Sequence, residues 1–177
     1  MYKKEIIFTG VGGQGIVKAG VILAEAAVLE GKHVVQTQNY GPESRGGSCR
    51  ADVIIASDDI YYPRVGNADV IFALSQAGFN KFIEYSKDNA VIIVDETVDV
   101  GDLKKCSRFK IVKYTEEILK NPQGINMICL GILAAMTKLV GYNSLRQAIR
   151  ENVPKFSIDK NLTAFEAGIT MVESCLA

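Results

Sequence analysis

Six residues, Gly10-Val11-Gly12-Gly13-Gln14-Gly15, carry the most chemical information in the chain. They fit the G-x-G-x-x-G pattern and lie between a strand-like run, Glu5-Ile6-Ile7-Phe8-Thr9, and a helical one from Ile16 to Glu30. In that setting Gly10 permits a tight turn, Gly12 lets a ligand approach the backbone, and Gly15 lets helix and strand pack closely. The N–H groups that open such a helix have no intrahelical partner and favour a phosphate or another anion. Three readings stay open: a nucleotide site, a partner-facing anion site, or a strand–helix joint whose glycines serve packing alone. The nicotinamide signature is incomplete. Its ribose-binding acid belongs at the end of the second strand, where Gln36, Thr37, Gln38 and Asn39 stand. No GxxxxGKS or GxxxxGKT phosphate loop occurs.

A second loop, Tyr40-Gly41-Pro42-Glu43-Ser44-Arg45-Gly46-Gly47, is stiff at Pro42 and pliable at Gly46-Gly47. It follows strand two at the sheet rim where the glycine loop follows strand one, the rim at which ligands of parallel α/β sheets sit. Arg45 could grip a carboxylate or phosphate bidentately, or it could simply pair with Glu43 on a solvated turn. Asp95-Glu96 is a further rim candidate, with solvated turn acids as the plain alternative. Ser48-Cys49-Arg50 reads as a strand start rather than a reactive thiol. The four cysteines, Cys49, Cys106, Cys129 and Cys175, form no CxxC and so no zinc or iron–sulfur clip. A Ser–His–Asp hydrolase would have to use His33, the one histidine, and no GxSxG is present.

The elements that must position these loops read as an α/β layer structure. Strand one, the helix and a strand at His33–Gln38 form a βαβ unit with a right-handed crossover. Val17, Val21, Ala24 and Val28 make the helix stripe expected to face the core, and Gly31 caps its end. Only about ten residues separate Gln38 from the strand Cys49–Ala56, too few for a parallel crossover, so that strand runs antiparallel or sits at an edge. Ala68–Leu74, Ala90–Val94 and Phe109–Lys113 read as further strands, and Gln76–Ser86 as a helix. Thr115 with Glu116-Glu117 is expected to start a short helix. Gly124–Leu139 is apolar nearly all round and must be covered on every side; helices at Ser144–Asn152 and Leu162–Cys175 complete a helical C-terminal third. The expected fold is a mixed, mostly parallel Rossmann-like sheet flanked by helices, with residues 1–177 as one domain.

Composition agrees with that class. Of 177 residues, 48% are apolar and 23% charged, which excludes a disordered or fibrous chain. Twenty basic residues balance 20 acidic ones, so neither nucleic acid nor an anionic membrane is the expected partner, while association between subunits meets little repulsion. No signal-type segment is visible at the start, and the longest apolar run, Met127–Met136, is about half of the roughly 20 residues of a spanning helix. A cytoplasmic protein with free thiols is expected.

The glycine motif, the helical Leu23-Ala24-Glu25-Ala26 and the Tyr40–Gly47 loop together resemble the gamma subunit of 2-oxoacid:ferredoxin (acceptor) oxidoreductases. Ser57–Val65, Asn126 at the start of the apolar helix and Asn161–Gly168 extend the likeness over nearly the whole chain. The Tyr-Gly-Pro-Glu-x-Arg-Gly-Gly form is most similar to the 2-oxoglutarate branch. The resemblance implies a pyruvate/ketoisovalerate oxidoreductase-type domain. It would assemble with thiamine-diphosphate-binding alpha and beta subunits and a ferredoxin-like delta subunit, or form a homodimer when isolated. The implied reaction is oxidative decarboxylation of a 2-oxo acid to an acyl-CoA, with electrons passed to ferredoxin. Thiamine diphosphate, magnesium and iron–sulfur clusters would belong to the partners, since no GDG…N motif or clustered cysteines occur here. The resemblance makes Gly10, Gly12, Gly13, Gln14, Gly15, Tyr40, Gly41, Pro42, Glu43, Ser44, Arg45, Gly46 and Gly47 partner- or cofactor-facing, with a coenzyme A contact possible at the helix start. It assigns no catalytic residue and no metal ligand to this chain.

Overall fold

The computed structural model describes residues 2–40 and 47–176. Its elements are β1 (Lys3–Val11), α1 (Ile16–Leu29), β2 (His33–Tyr40), β3 (Ser48–Ala56), β4 (Ala68–Ala73), α2 (Gln76–Phe82), β5 (Ser86–Asp95), β6 (Ser107–Phe109), α3 (Ile111–Glu117), α4 (Ile125–Thr137), α5 (Tyr142–Asn152) and α6 (Ile158–Leu176). The strands form one sheet in the order β2-β3-β1-β4-β5-β6. β3 runs antiparallel to both neighbours, while β4, β5 and β6 extend the sheet in parallel from β1. The mixed, mostly parallel sheet and the helical C-terminal region are as expected.

The placement of β3 meets the first of the two alternatives left open for it. β1, α1 and β2 make the expected parallel crossover, and β3 is inserted between the two strands. The short connection reverses the chain, so β3 runs antiparallel to both neighbours and lies inside the sheet. All nine of its residues are buried, and a strand apolar enough for that needs a neighbour on each side.

The α1 stripe is corrected. The buried residues are Ile16, Ala19, Gly20, Ile22, Leu23, Ala26 and Ala27, while Val17, Val21 and Ala24 are half-buried and Val28 is exposed. Small residues decide the face: a Cβ on Gly20 would lie 3.1 Å from the Ala51 Cβ, so the helix rests almost directly on β3. Gly31 takes the left-handed conformation, with φ 73°, that the expected cap requires.

At the other end of the sheet, Phe109–Lys113 is not a strand. β6 stops at Phe109 and α3 begins at Ile111, because the buried Asp95 carboxylate accepts the Val112 N–H at 2.9 Å and so caps that helix. Thr115 therefore lies inside α3, its hydroxyl donating to the Ile111 carbonyl, and Glu116-Glu117 close the helix instead of opening it. The predicted Gln76–Ser86 helix ends at Phe82 and passes through one 3-10 turn into a β5 longer than Ala90–Val94. α6 begins at Ile158 rather than Leu162.

Two apolar layers flank the sheet. Ile6, Phe8, Val53, Ile55, Phe72 and Ile93 meet the layer of α1, α4, α5 and α6, whereas Ile7, Ile54, Ile71 and Val94 meet the short α2. α4 is buried from Ile125 to Ala134, as an all-apolar helix must be. No helix among the described residues is long and apolar enough to cross a membrane.

Asp69 ties the N-terminal end of the sheet together. It accepts hydrogen bonds from Lys4, Lys87 and the Glu5 N–H at 3.2, 2.8 and 3.0 Å. Burial pushes its carboxyl up, but these three donors outweigh burial and hold it below the ordinary 3.8. Because the folded value lies below the unfolded one, this stabilisation is complete above the unfolded pKa and disappears as pH falls through the folded pKa. Asp69→Asn is expected to flatten the acid limb of a melting-temperature profile below about pH 4; an unchanged limb would contradict it.

Candidate functional site

The glycine loop leaves the C-terminal end of β1 and enters α1, as its spacing predicts. Gly13 and Gly15 adopt φ 93° and 69°, conformations that a side chain would strain. The Gln14 side chain folds back, its Oε1 accepting the Val11 N–H at 2.8 Å, and the Gln14 N–H donates to the Val11 carbonyl at 3.3 Å. Among the described residues no side chain caps α1, and no acid stands in its first turn, so its opening N–H groups keep their attraction for an anion.

The four glycines divide into two pairs. A Cβ on Gly10 would collide with Gln14 Oε1, and one on Gly15 would come within 2.6 Å of Asn126 Nδ2. Gly10 and Gly15 thus serve close packing. Gly10 lies within β1 and makes no turn, and Gly15 makes room for Asn126 of α4 as well as for the helix start. Among the described residues, a Cβ on Gly12 or Gly13 would meet nothing within 4 Å. These two face an open groove of about 460 Å³ that runs along Ile16, Val17 and Val21, with Cys49 beside it. Burial pushes the Cys49 thiol up, which leaves it a neutral wall and not a nucleophile.

The β ladder brings the second loop to the same rim. Cys49 pairs with Tyr40 on one side and Gly10 on the other, and Ser48 pairs with Val11. Tyr40 and Gly47, where the loop leaves and returns, are therefore one or two strand spacings from the glycine loop. Gly41, Pro42, Glu43, Ser44, Arg45 and Gly46 lie outside the described residues.

Sequence reasoning missed a charged cleft on the opposite face of the same strands. Arg50 is 9% exposed; its Nε and Nη2 donate to Asp52 at 2.5 and 2.9 Å and Nη2 also reaches the Val65 carbonyl at 2.7 Å. Phe82 and Tyr85 lie 5.0 and 4.7 Å from the guanidinium. The cleft, about 600 Å³, is also lined by Arg64, Lys81 and Tyr62. The signal was present in the alternation Arg50-x-Asp52-x-Ile54, which puts two charges and an apolar residue on one covered face. Asn126 carried no comparable signal: it is 6% exposed and its Oδ1 has no partner among the described residues.

The other candidates are structural. Asp95 is fully buried and engaged by Thr97 and Val112. His33 pairs with Asp59 at 3.2 Å at the far end of β2. Among the described residues no three His, Cys, Asp or Glu side chains converge as metal ligands. Among the described residues the rim offers a backbone cradle, an uncapped helix start and an apolar wall.

Comparison with known proteins agrees with this geometry. Residues 5–171 match the family model for pyruvate ferredoxin/flavodoxin oxidoreductase. The chain is 39% identical over 174 residues to the 2-oxoglutarate synthase subunit KorC of Methanocaldococcus jannaschii, covering 94% of this chain and 92% of that one. Among solved structures, the gamma subunit of the keto/oxoacid ferredoxin oxidoreductase of Geobacter sulfurreducens superposes with a TM-score of 0.88 at 30% identity over 98% of each chain. The 2-oxoglutarate:ferredoxin oxidoreductase of Magnetococcus marinus, solved with 2-oxoglutarate, coenzyme A and succinyl-CoA bound, shares the fold with a TM-score of 0.85 at 21% identity, over 98% of this chain and 32% of that one. A glycine cradle at the rim of this sheet, matched from end to end by such relatives, places the chain in the pyruvate ferredoxin/flavodoxin oxidoreductase family.

Proposed function

We propose that this chain is the gamma subunit of a 2-oxoglutarate-type 2-oxoacid:ferredoxin oxidoreductase and is inactive alone. It would complete the active site of cytoplasmic partner subunits that carry thiamine diphosphate, magnesium and iron–sulfur clusters. The observation that carries this reading is the openness of Gly12 and Gly13. Packing explains Gly10 and Gly15 and a positive φ explains Gly13, but neither explains Gly12, and a backbone left bare of side chains at a rim suits close approach by another molecule. Coenzyme A fits the same cradle. Its phosphates match the uncapped start of α1, and its uncharged arm matches the wall of Val17 and Val21. The chain's own residues would then bind and orient, and the bond-breaking chemistry would be the cofactor's in the partner subunits.

The test is the complex co-expressed with its partner subunits and assayed for 2-oxoglutarate- and coenzyme A-dependent dye reduction. Omitting this chain should abolish turnover. Gly12→Ala and Gly12→Val should melt like the wild type, since neither the space nor the backbone angle at Gly12 opposes a side chain. Gly12→Val should still lower activity by on the order of 100-fold. Full activity without the chain, or from the folded Gly12→Val complex, would overturn the reading. A second reading, a stand-alone dinucleotide-binding module, is favoured by the uncapped helix start alone. It lacks an acid at the end of β2, and titration of the purified chain with NADH would separate the two.

A further inference from the structure

Among the described residues, no element covers one flank of the molecule. β2 is the outermost strand on its side and pairs, among the described residues, with β3 alone. Its sequence, His33-Val34-Val35-Gln36-Thr37-Gln38-Asn39-Tyr40, contains no Lys, Arg, Asp, Glu or Pro, the residues by which proteins guard an open edge. The opposite edge, β6, is only three residues long and carries Arg108.

α1 borders the same flank. Gly20 sits against Ala51, Val53 and Gln36, which sets the helix over the junction of β3 and β2. Lys18 and Glu25 both reach Asn152 of α5, and Ala19, Ile22 and Ala26 are buried on the side toward α4 and α5. At about 100° per residue, Val17, Val21, Ala24 and Val28 fall on the other side, toward the β2 edge. They form an apolar stripe that the fold leaves half-covered, with Val28 59% exposed.

We infer that this flank is the interface of a homodimer in which β2 pairs antiparallel with β2 of a second copy. A two-fold axis perpendicular to the sheet keeps both α1 helices on one face. Paired strands lie about 4.8 Å apart and each α1 is centred about half a strand spacing inside its β2. The two helices then stand about 10 Å apart, at the upper end of helix packing distances. They run antiparallel, so that Val21 and Ala24 meet their own counterparts and Val17 stands beside Val28 of the second copy. The chain suits itself as occupant for three reasons. An uncharged strand meets no like charge when paired with its own copy. The zero net charge adds no long-range repulsion. A second copy also brings an apolar helix set half a strand behind its own edge, placed to cover the stripe. Val17 and Val21 also wall the groove beside Gly12, so a second copy and a ligand held in that groove would compete for the stripe.

The experiment is sedimentation of the purified full chain over a range of concentrations, with hydrogen exchange read at β2. The wild type should dimerise as concentration rises and protect the outward β2 amides in step. Val21→Glu and Val21→Lys should each weaken the dimer by roughly 10-fold or more with an unchanged melting temperature, and an equimolar mixture of the two should restore it. Val28→Glu, at an exposed position, should weaken it without touching the core. A wild type that stays monomeric into the millimolar range, a dimer whose β2 amides exchange as in the monomer, or folded Val21 and Val28 variants that dimerise like the wild type would each overturn the inference.

Discussion

Gly131→Ala is expected to destabilise the chain by on the order of 3 kcal/mol, the upper part of the overpacking range, and to lower its melting temperature by roughly 6–12 °C. α4 and α6 cross at Gly131 and Gly168. A Cβ on Gly131 would fall on the Phe165 carbonyl oxygen, and one on Gly168 on the Ile128 carbonyl oxygen. Both obstacles are backbone atoms, which cannot swing aside as a side chain can, so the helices would have to separate. The damage would reach the rim, because α4 carries Asn126 and the Asn126 carboxamide lies against Gly15. Thermal melts of Gly131→Ala and Gly168→Ala beside Gly12→Ala provide the check. The first two should lose several degrees and the third none, although all three replace a glycine by the same residue. A loss within about 1 kcal/mol for Gly131→Ala would mean that the crossing yields cheaply.

The same contrast shows how far the sequence was legible. Glycine spacing after a strand located the loop and its helix correctly, because that signal is local: each turn requirement is met within six residues. It could not divide the four glycines into packed and open pairs, since residue spacing does not give the folding back of Gln14 onto Gly10, and Asn126 is brought to Gly15 only by the tertiary fold. Periodicity failed on α1 for a related reason. The four valine and alanine positions look like a core stripe, but Gly20 makes the close approach to β3 and so turns Ile16, Ile22 and Leu23, with Ala19, Ala26 and Ala27, into the core. The helix that replaced the expected strand after Phe109 depends on a cap from Asp95, 17 residues away, which no window around Ile111 contains. The insertion of β3 between β1 and β2 was likewise invisible to the chain order, although the shortness of the β2–β3 connection did give its direction.

Asp52→Ala is expected to cost about 3–5 kcal/mol, because it leaves the Arg50 cation buried without its counter-charge. Asp52 accepts two hydrogen bonds from Arg50 and one, at 3.2 Å, from the Val65 N–H, so one carboxylate fastens β3 to the loop that returns to β4. After its removal the guanidinium keeps the Val65 carbonyl and the two aromatic faces of Phe82 and Tyr85, which do not neutralise it. Replacing both partners by apolar residues of similar size, as in Arg50→Met with Asp52→Leu, should cost much less, since no unpaired charge is then left behind. It should not reach the wild type, because Val65 would lose partners for both its N–H and its carbonyl. Denaturant midpoints for the single and double variants give the comparison. If Asp52→Ala proved no worse than the double variant, the pair would be no structural clasp, and Arg50 would be free to serve the cleft as a binding group alongside Arg64 and Lys81. If the single variant is clearly the worse, the cleft's two strongest charges are committed to holding β3 in place, the strand that fixes the distance between the glycine loop and Tyr40.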